Sequence, residues 1–190
     1  MDYVTAERRT RSAQMISVRQ PRQMRIDVMN PFGVSYTLAL DGRSLAVVDH
    51  LDDAYYEGAA TAANLARFTG VPLDVDLLVD LARGLPPDLG ARGDGSVRAA
   101  DGAWLWERPL PGGGRSIITF DAAHLDPKAV DVVGVTRFGT SRVEFGRHWE
   151  VAGVRVAHEV AVRFEDGREL GLAYDRNWPA AILPDRAFQP

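Results

Sequence analysis

Apolar and polar residues alternate along most of this chain. Val154, Val156, His158, Val160, Val162 and Phe164 fall on one face of an extended run, while Arg155, Ala157, Glu159, Ala161, Arg163 and Glu165 take the other. A period of two is the signature of a strand with one buried face. Asp166-Gly167 then supplies a tight hairpin turn, and Leu170, Leu172 and Tyr174 continue the apolar face. The same pattern appears early. Met24, Ile26 and Val28 alternate with Arg25, Asp27 and Met29, and Asn30-Pro31-Phe32-Gly33 interrupts as a turn. Val34, Tyr36, Leu38 and Leu40 follow, then a hairpin at Asp41-Gly42 and a strand over 45–48. Further strands are predicted over 12–19, 54–57, 103–108, 115–121, 130–138 and 142–151. About ten strands joined by short turns imply an antiparallel meander rather than βαβ units.

The pattern changes in the middle. A helix is predicted over about 59–68, with Leu65 and Phe68 at helical spacing and Gly70-Val71-Pro72 as its end. A second spans about 74–83, where Leu77, Leu78, Leu81 and Leu85 form one apolar stripe. Asp74 is placed to cap its start, and Gly84 and Pro86 to end it. Residues 86–102, rich in Pro, Gly, Asp and Arg, read as a loop, and Pro111-Gly112-Gly113-Gly114 as a hairpin tip. The expected fold is mainly β (α+β), a single domain over 1–190 with 1–11 and 179–190 as peripheral extensions. Strand twist makes so long a sheet curl into a closed or incomplete β-barrel, and two amphipathic helices are suited to cover an open mouth. Alternation assigns the inward face. It leaves open whether that face is packed or hollow.

Composition removes several functions. Of 190 residues, 46% are hydrophobic and 25% charged, which suits one globular domain with a sizeable core. The formal net charge of −4 gives no basic stripe for nucleic acid. The early run of Arg8, Arg9, Arg11, Arg19, Arg22 and Arg25 reads as a solvated strand face. There is no cysteine, so disulfides, zinc-thiolate sites and cysteine nucleophiles are excluded. No run approaches the roughly 18 apolar residues of a membrane span. Met1-Asp2-Tyr3-Val4 leads straight into polar sequence without an export signal, which fits a natural start or a chain whose export segment has been removed.

Candidate chemistry is sparse. His50, His124, His148 and His158 form no metal-ligand spacing. His158, on an apolar strand face, reads as a satisfied core or cavity histidine. Asp49, His50, Asp52 and Asp53 cluster, but at a strand exit such a group is usually turn chemistry. No Gly-x-Ser-x-Gly elbow is present, and the Gly112-Gly113-Gly114 run lacks the Lys-Ser/Thr of a P-loop. No catalytic residue, metal or cofactor is therefore expected. Trp104 and Trp106, two apart, share a strand face, as core or as the lining of a greasy pocket. Phe32, bracketed by Pro31 and Gly33, is a large apolar residue at a turn tip.

Three segments, in order, resemble the outer-membrane lipoprotein receptor family LolB and its LolA-like relatives. They are the strand–turn–strand Met24 to Leu40 around Asn30-Pro31-Phe32-Gly33; Thr69-Gly70-Val71-Pro72-Leu73 with the Leu-rich helix and Arg83-Gly84-Leu85-Pro86; and Asp166-Gly167 through Leu170, Leu172 and Asn177-Trp178. The resemblance covers roughly 12–178. It implies an incomplete barrel of about eleven strands with a two-helix lid over a hydrophobic cavity. It also implies a non-catalytic receptor or chaperone that takes lipoproteins from a LolA-like periplasmic carrier. The receptor holds their acyl chains and delivers them to the inner leaflet of the outer membrane. Met24, Ile26, Val28, Tyr36, Leu38, Trp104, Trp106, Val160 and Val162 would line the cavity, with Leu77, Leu78 and Leu81 on the lid. Phe32 would enter the membrane, and shelter from water would contribute about 0.8 kcal/mol per CH₂ of cargo. A monomer on the periplasmic side of the outer membrane is implied. Its native lipid anchor would need a signal peptide and lipobox cysteine that this chain lacks. Two other readings compete: a non-catalytic envelope-assembly module with a filled barrel, and a small enzyme with a site around Asp49-His50 or His158.

Overall fold

The alternating runs fold into strands, but these divide between two antiparallel sheets. The computed structural model describes residues 2–4, 9–19, 21–70, 73–91, 93, 95–134, 140–178 and 181–189. Short strands β1 (Asp2–Val4) and β2 (Arg9–Arg11) come first. After Ser12 the chain continues as β3 (Ala13–Arg19), β4 (Gln23–Asn30), β5 (Gly33–Leu40), β6 (Ser44–Asp49) and β7 (Ala54–Ala59), a five-stranded meander in sequence order. Helices α1 (Ala62–Thr69) and α2 (Val75–Ala82) follow. Then come β8 (Ser96–Ala100), β9 (Ala103–Pro109), β10 (Arg115–Asp121), β11 (Pro127–Val133), β12 (Thr140–Val151), β13 (Val154–Phe164) and β14 (Glu169–Ala173). The second sheet has the order β2-β1-β14-β13-β12-β11-β10-β9-β8. The run 9–19 therefore passes from the edge of one sheet to the edge of the other, as a strand does at the corner of a sandwich. The opposite edges, β7 and β8, are not hydrogen-bonded to each other; the helical segment connects them. The barrel is incomplete.

Several elements differ from the sequence reading. The segment 86–102, read as a loop, contains β8, which pairs with β9 from Ser96↔Glu107 to Ala100↔Ala103. Four of its five residues are exposed, so it has no buried face to create alternation. The end segments, expected to be peripheral, take part in the fold. Asp2–Val4 pairs with Glu169–Gly171 of β14, and residues 181–189 cross the outer face of the five-stranded sheet. There Arg19 pairs with Asp185 (2.7 Å) and lies 4.7 Å from the centre of the buried Phe188 ring, while Arg25 Nη1 donates to the Gln189 carbonyl at 2.6 Å. Arg22 pairs with Asp76 at the start of α2 (2.8 Å). These three arginines hold elements together and are not merely a solvated face; Arg8 lies outside the described residues. Of the strand expected over 130–138, residues 135–138 also lie outside them.

Both helices have identifiable ends. The Thr61 hydroxyl accepts from the Asn64 amide (3.2 Å), and Gly70 closes α1 at φ 78°, donating to the Ala66 carbonyl. α1 starts three residues later than expected because β7 runs through Ala59. α2 ends in a Schellman motif, with Gly84 N–H donating to Leu81 and Leu85 N–H to Asp80. Its stripe of Leu77, Leu78 and Leu81 is buried, but so are Val75, Val79 and Ala82 on the other sides. A helix enclosed on nearly every side lies within the core rather than over it. One continuous cluster joins it to Met24, Leu38 and Leu45 of the smaller sheet and to Val160, Val162 and Leu170 of the larger.

Candidate functional site

Buried side chains surround α2, whereas a cleft opens where the smaller sheet runs past α1. Register places Val28 opposite Tyr36, Val47 opposite Tyr56 and Asp49 opposite Tyr36 on the concave face. The C-terminal turn of α1 presents Arg67 and Phe68 to the same space. Between them lies an open cleft of about 660 Å³, within the range of about 300–1,000 Å³ typical of small-molecule sites.

Its walls are mainly apolar and aromatic. The Phe68 ring centre lies 5.0 Å from that of Tyr56 and 6.4 Å from that of Tyr36. The Arg67 guanidinium rests 5.3 Å from the Tyr56 centroid and 5.6 Å from that of Phe68, within cation–π range. Burial, and then the neighbouring Asp49, raise the pKa of the Tyr36 phenol, so it stays a neutral donor. Asp49 Oδ1 is committed to its turn, accepting from the Leu51 and Asp52 amides at 2.9 and 3.3 Å. Gln14, also in the wall, donates to Ser12 Oγ at 2.9 Å, and its buried Oε1 has no partner.

The residues predicted to line a cavity separate into groups. Val28 and Tyr36 line this cleft. Met24, Ile26, Leu38, Leu77, Leu78, Leu81, Val160 and Val162 lie in the packed core. Trp106 is partly buried against that core with Arg108 over its ring, while Trp104 is 41% exposed. Phe32 stands 97% exposed at its turn, its amide donating to Asn30 Oδ1 at 2.8 Å. Leu51, at the next hairpin tip on the same end of the sheet, is 72% exposed. Sequence reasoning missed Val47, Tyr56 and Arg67. The Asp49-to-Asp53 turn was the available signal, since folding back there sets Tyr56 beside Val47.

The other candidate centres, His50 and His158, are not part of the cleft lining. His50 Nε2 lies 3.2 Å from the Thr37 hydroxyl, which donates to Asp27 on the outer face. His158 is buried, its Nδ1 3.0 Å from the Tyr174 carbonyl and its ring centre 4.3 Å from that of Trp149; Nε2 has no partner. Among the described residues no group of three or more His, Cys, Asp or Glu is placed to hold a metal ion, and no helix is long and apolar enough to cross a membrane.

The fold has solved counterparts. A domain described as an outer membrane lipoprotein-sorting protein from Vibrio parahaemolyticus superposes with TM-score 0.62 at 11% identity, over 99% of this chain and 86% of that one. A LolA superfamily protein from Nitrosomonas europaea gives TM-score 0.62 at 10% identity, covering 100% and 86%. A DUF1329 family protein from Desulfovibrio piger gives 0.61 at 13% identity, covering 99% and 86%. No family sequence model matches the chain, and no curated protein matches it significantly in sequence.

Proposed function

We propose, from the LolA-like fold of this chain, that it is a non-catalytic carrier of lipid-modified protein that shelters an acyl chain in the cleft between β4–β7 and α1. The observation that carries this reading is the cleft itself, about 660 Å³, with Val28, Val47 and the rings of Tyr36, Tyr56 and Phe68 in its walls. In this reading cargo is passed on at a membrane surface in the bacterial envelope, on the periplasmic side of the outer membrane. A LolA-like carrier supplies the cargo, the protein acts as a monomer, and its native form is lipid-anchored. The Phe32 turn is the part that enters the lipid interface, because its ring stands almost wholly exposed at the turn tip. A second reading, an envelope-assembly module with a filled barrel, is favoured by one observation, the burial of α2 in the core.

Native mass spectrometry and displacement of a fluorescent fatty-acid probe separate the two. The carrier reading expects one acyl ligand per chain, lost in Phe68→Glu and retained in Phe32→Glu, whose transfer of the ligand to vesicles is slowed. Absence of binding by the folded wild-type protein refutes it in favour of the filled module. Equal binding loss in both variants refutes the separate role of Phe32.

A further inference from the structure

The cleft lining holds one carboxylate, Asp49, whose Oδ1 is taken by its own turn, and one arginine, Arg67. Arg19, Arg22, Arg25, Arg142, Arg147 and Arg155 all meet a carboxylate within 4 Å. Arg67, at the cleft, meets none among the described residues; its guanidinium is held only against the Tyr56 and Phe68 rings. The helix dipole favours a cation in the last turn of α1, but it does not account for a seat on two rings that themselves line the cleft. Stacking leaves the edge of the guanidinium, with its N–H donors, free for a ligand.

The volume sets a second constraint. At about 30 Å³ per water-sized group, 660 Å³ holds roughly twenty such groups. That is room for one long acyl chain within the cleft. We infer that the cleft takes single-chain amphiphiles with an anionic head, a carboxylate or a phosphate, and that Arg67 is the residue that binds the head. The inference rests on the acyl-chain cleft of the reading above and extends its ligands to free amphiphiles.

Calorimetry on the full chain at pH 8, below micelle-forming concentrations, tests it with three probes. They are oleate, a palmitoyl lysophosphatidate, and the neutral mono-olein. A charge-assisted hydrogen bond predicts that at least one anionic probe binds about tenfold or more tighter than mono-olein. The tighter of the two identifies the head as carboxylate or phosphate. Arg67→Gln is expected to weaken the favoured anionic probe by about tenfold or more and mono-olein by much less, so that the preference is lost. Equal affinities in the wild type overturn the head-group assignment alone, as does a preference that survives Arg67→Gln. Equal loss for all three probes in Arg67→Gln also overturns it. Failure of all three to bind the wild type overturns the acyl-chain reading itself.

Discussion

Gly84 is where the end of α2 meets β13, and replacing it tests how tightly the interior helix is seated. Its φ of 69° lies in the left-handed region. An added Cβ would stand 2.9 Å from the Ala157 carbonyl oxygen and 3.3 Å from its amide nitrogen. Both are backbone atoms of β13, which is held to β12 at this position (His148↔Ala157), so they cannot readily swing away. Gly84→Ala therefore carries two costs. The left-handed conformation costs about 1–2 kcal/mol for a residue with a Cβ, and forced overpacking costs about 1–3 kcal/mol more. At about 2–4 °C per kcal/mol for a chain of this size, the combined loss lowers Tm by about 10 °C. Gly102, at φ 74° with nothing within 4 Å of its Cβ position, is the control. Gly102→Ala incurs only the first cost, about 2–8 °C. The entropic gain in the unfolded chain is common to both variants and cancels in the comparison. Differential scanning calorimetry of the two proteins measures the difference. Equal shifts would refute the argument that the end of α2 is pressed against β13.

Asp27 is buried on the outer face, held by Arg25 Nε at 2.9 and 2.8 Å and by the Thr37 hydroxyl at 2.7 Å. Asp27→Ala strands these donors and should cost about 3 kcal/mol, the lower end for a broken buried pair; a loss below about 1 kcal/mol in urea unfolding would contradict the network. For His148, burial holds the imidazole pKa below its usual range, and its Nε2 has no partner. Its contribution to stability is complete above the unfolded value of about 6.5 and is lost as pH falls through the lower folded value. Urea midpoints at pH 7.5 and 5.5 should therefore fall further apart in the wild type than in His148→Gln, and identical shifts would dispose of the idea.

Most strands were legible because a buried face forces alternation, as in Met24, Ile26 and Val28 against Arg25 and Asp27. β8 was not, because a strand exposed along most of its length imposes no such rule. The division into two sheets was hidden too. Nothing in the period changes at Ser12, where the chain leaves one sheet for the other. The Phe32 turn could be read because Asn30, Pro31 and Gly33 are local signals. The cleft could not, because Val28, Val47, Tyr56 and Phe68 come from four elements that only register and helix placement bring together. Met24, Ile26, Val160 and Val162 are buried where alternation put them inward, while Trp104 and Val154 are exposed, and alternation cannot tell a wall that meets a helix from one that meets empty space.

The pairing of Asp2–Val4 with Glu169–Gly171 bears on how the protein is made. At about 5–20 residues per second, a ribosome takes roughly 10–30 s to produce the partner of the first strand. The five-stranded meander, whose neighbours are local, can assemble within that interval. Its outer face, with Asp27 and Thr37, stays uncovered until the segment carrying Phe188 emerges. Such long-range closure slows folding. The nascent chain therefore presents an unfinished sheet edge and an unshielded face to its surroundings for many seconds, and the yield of native protein depends on what holds that intermediate in the meantime.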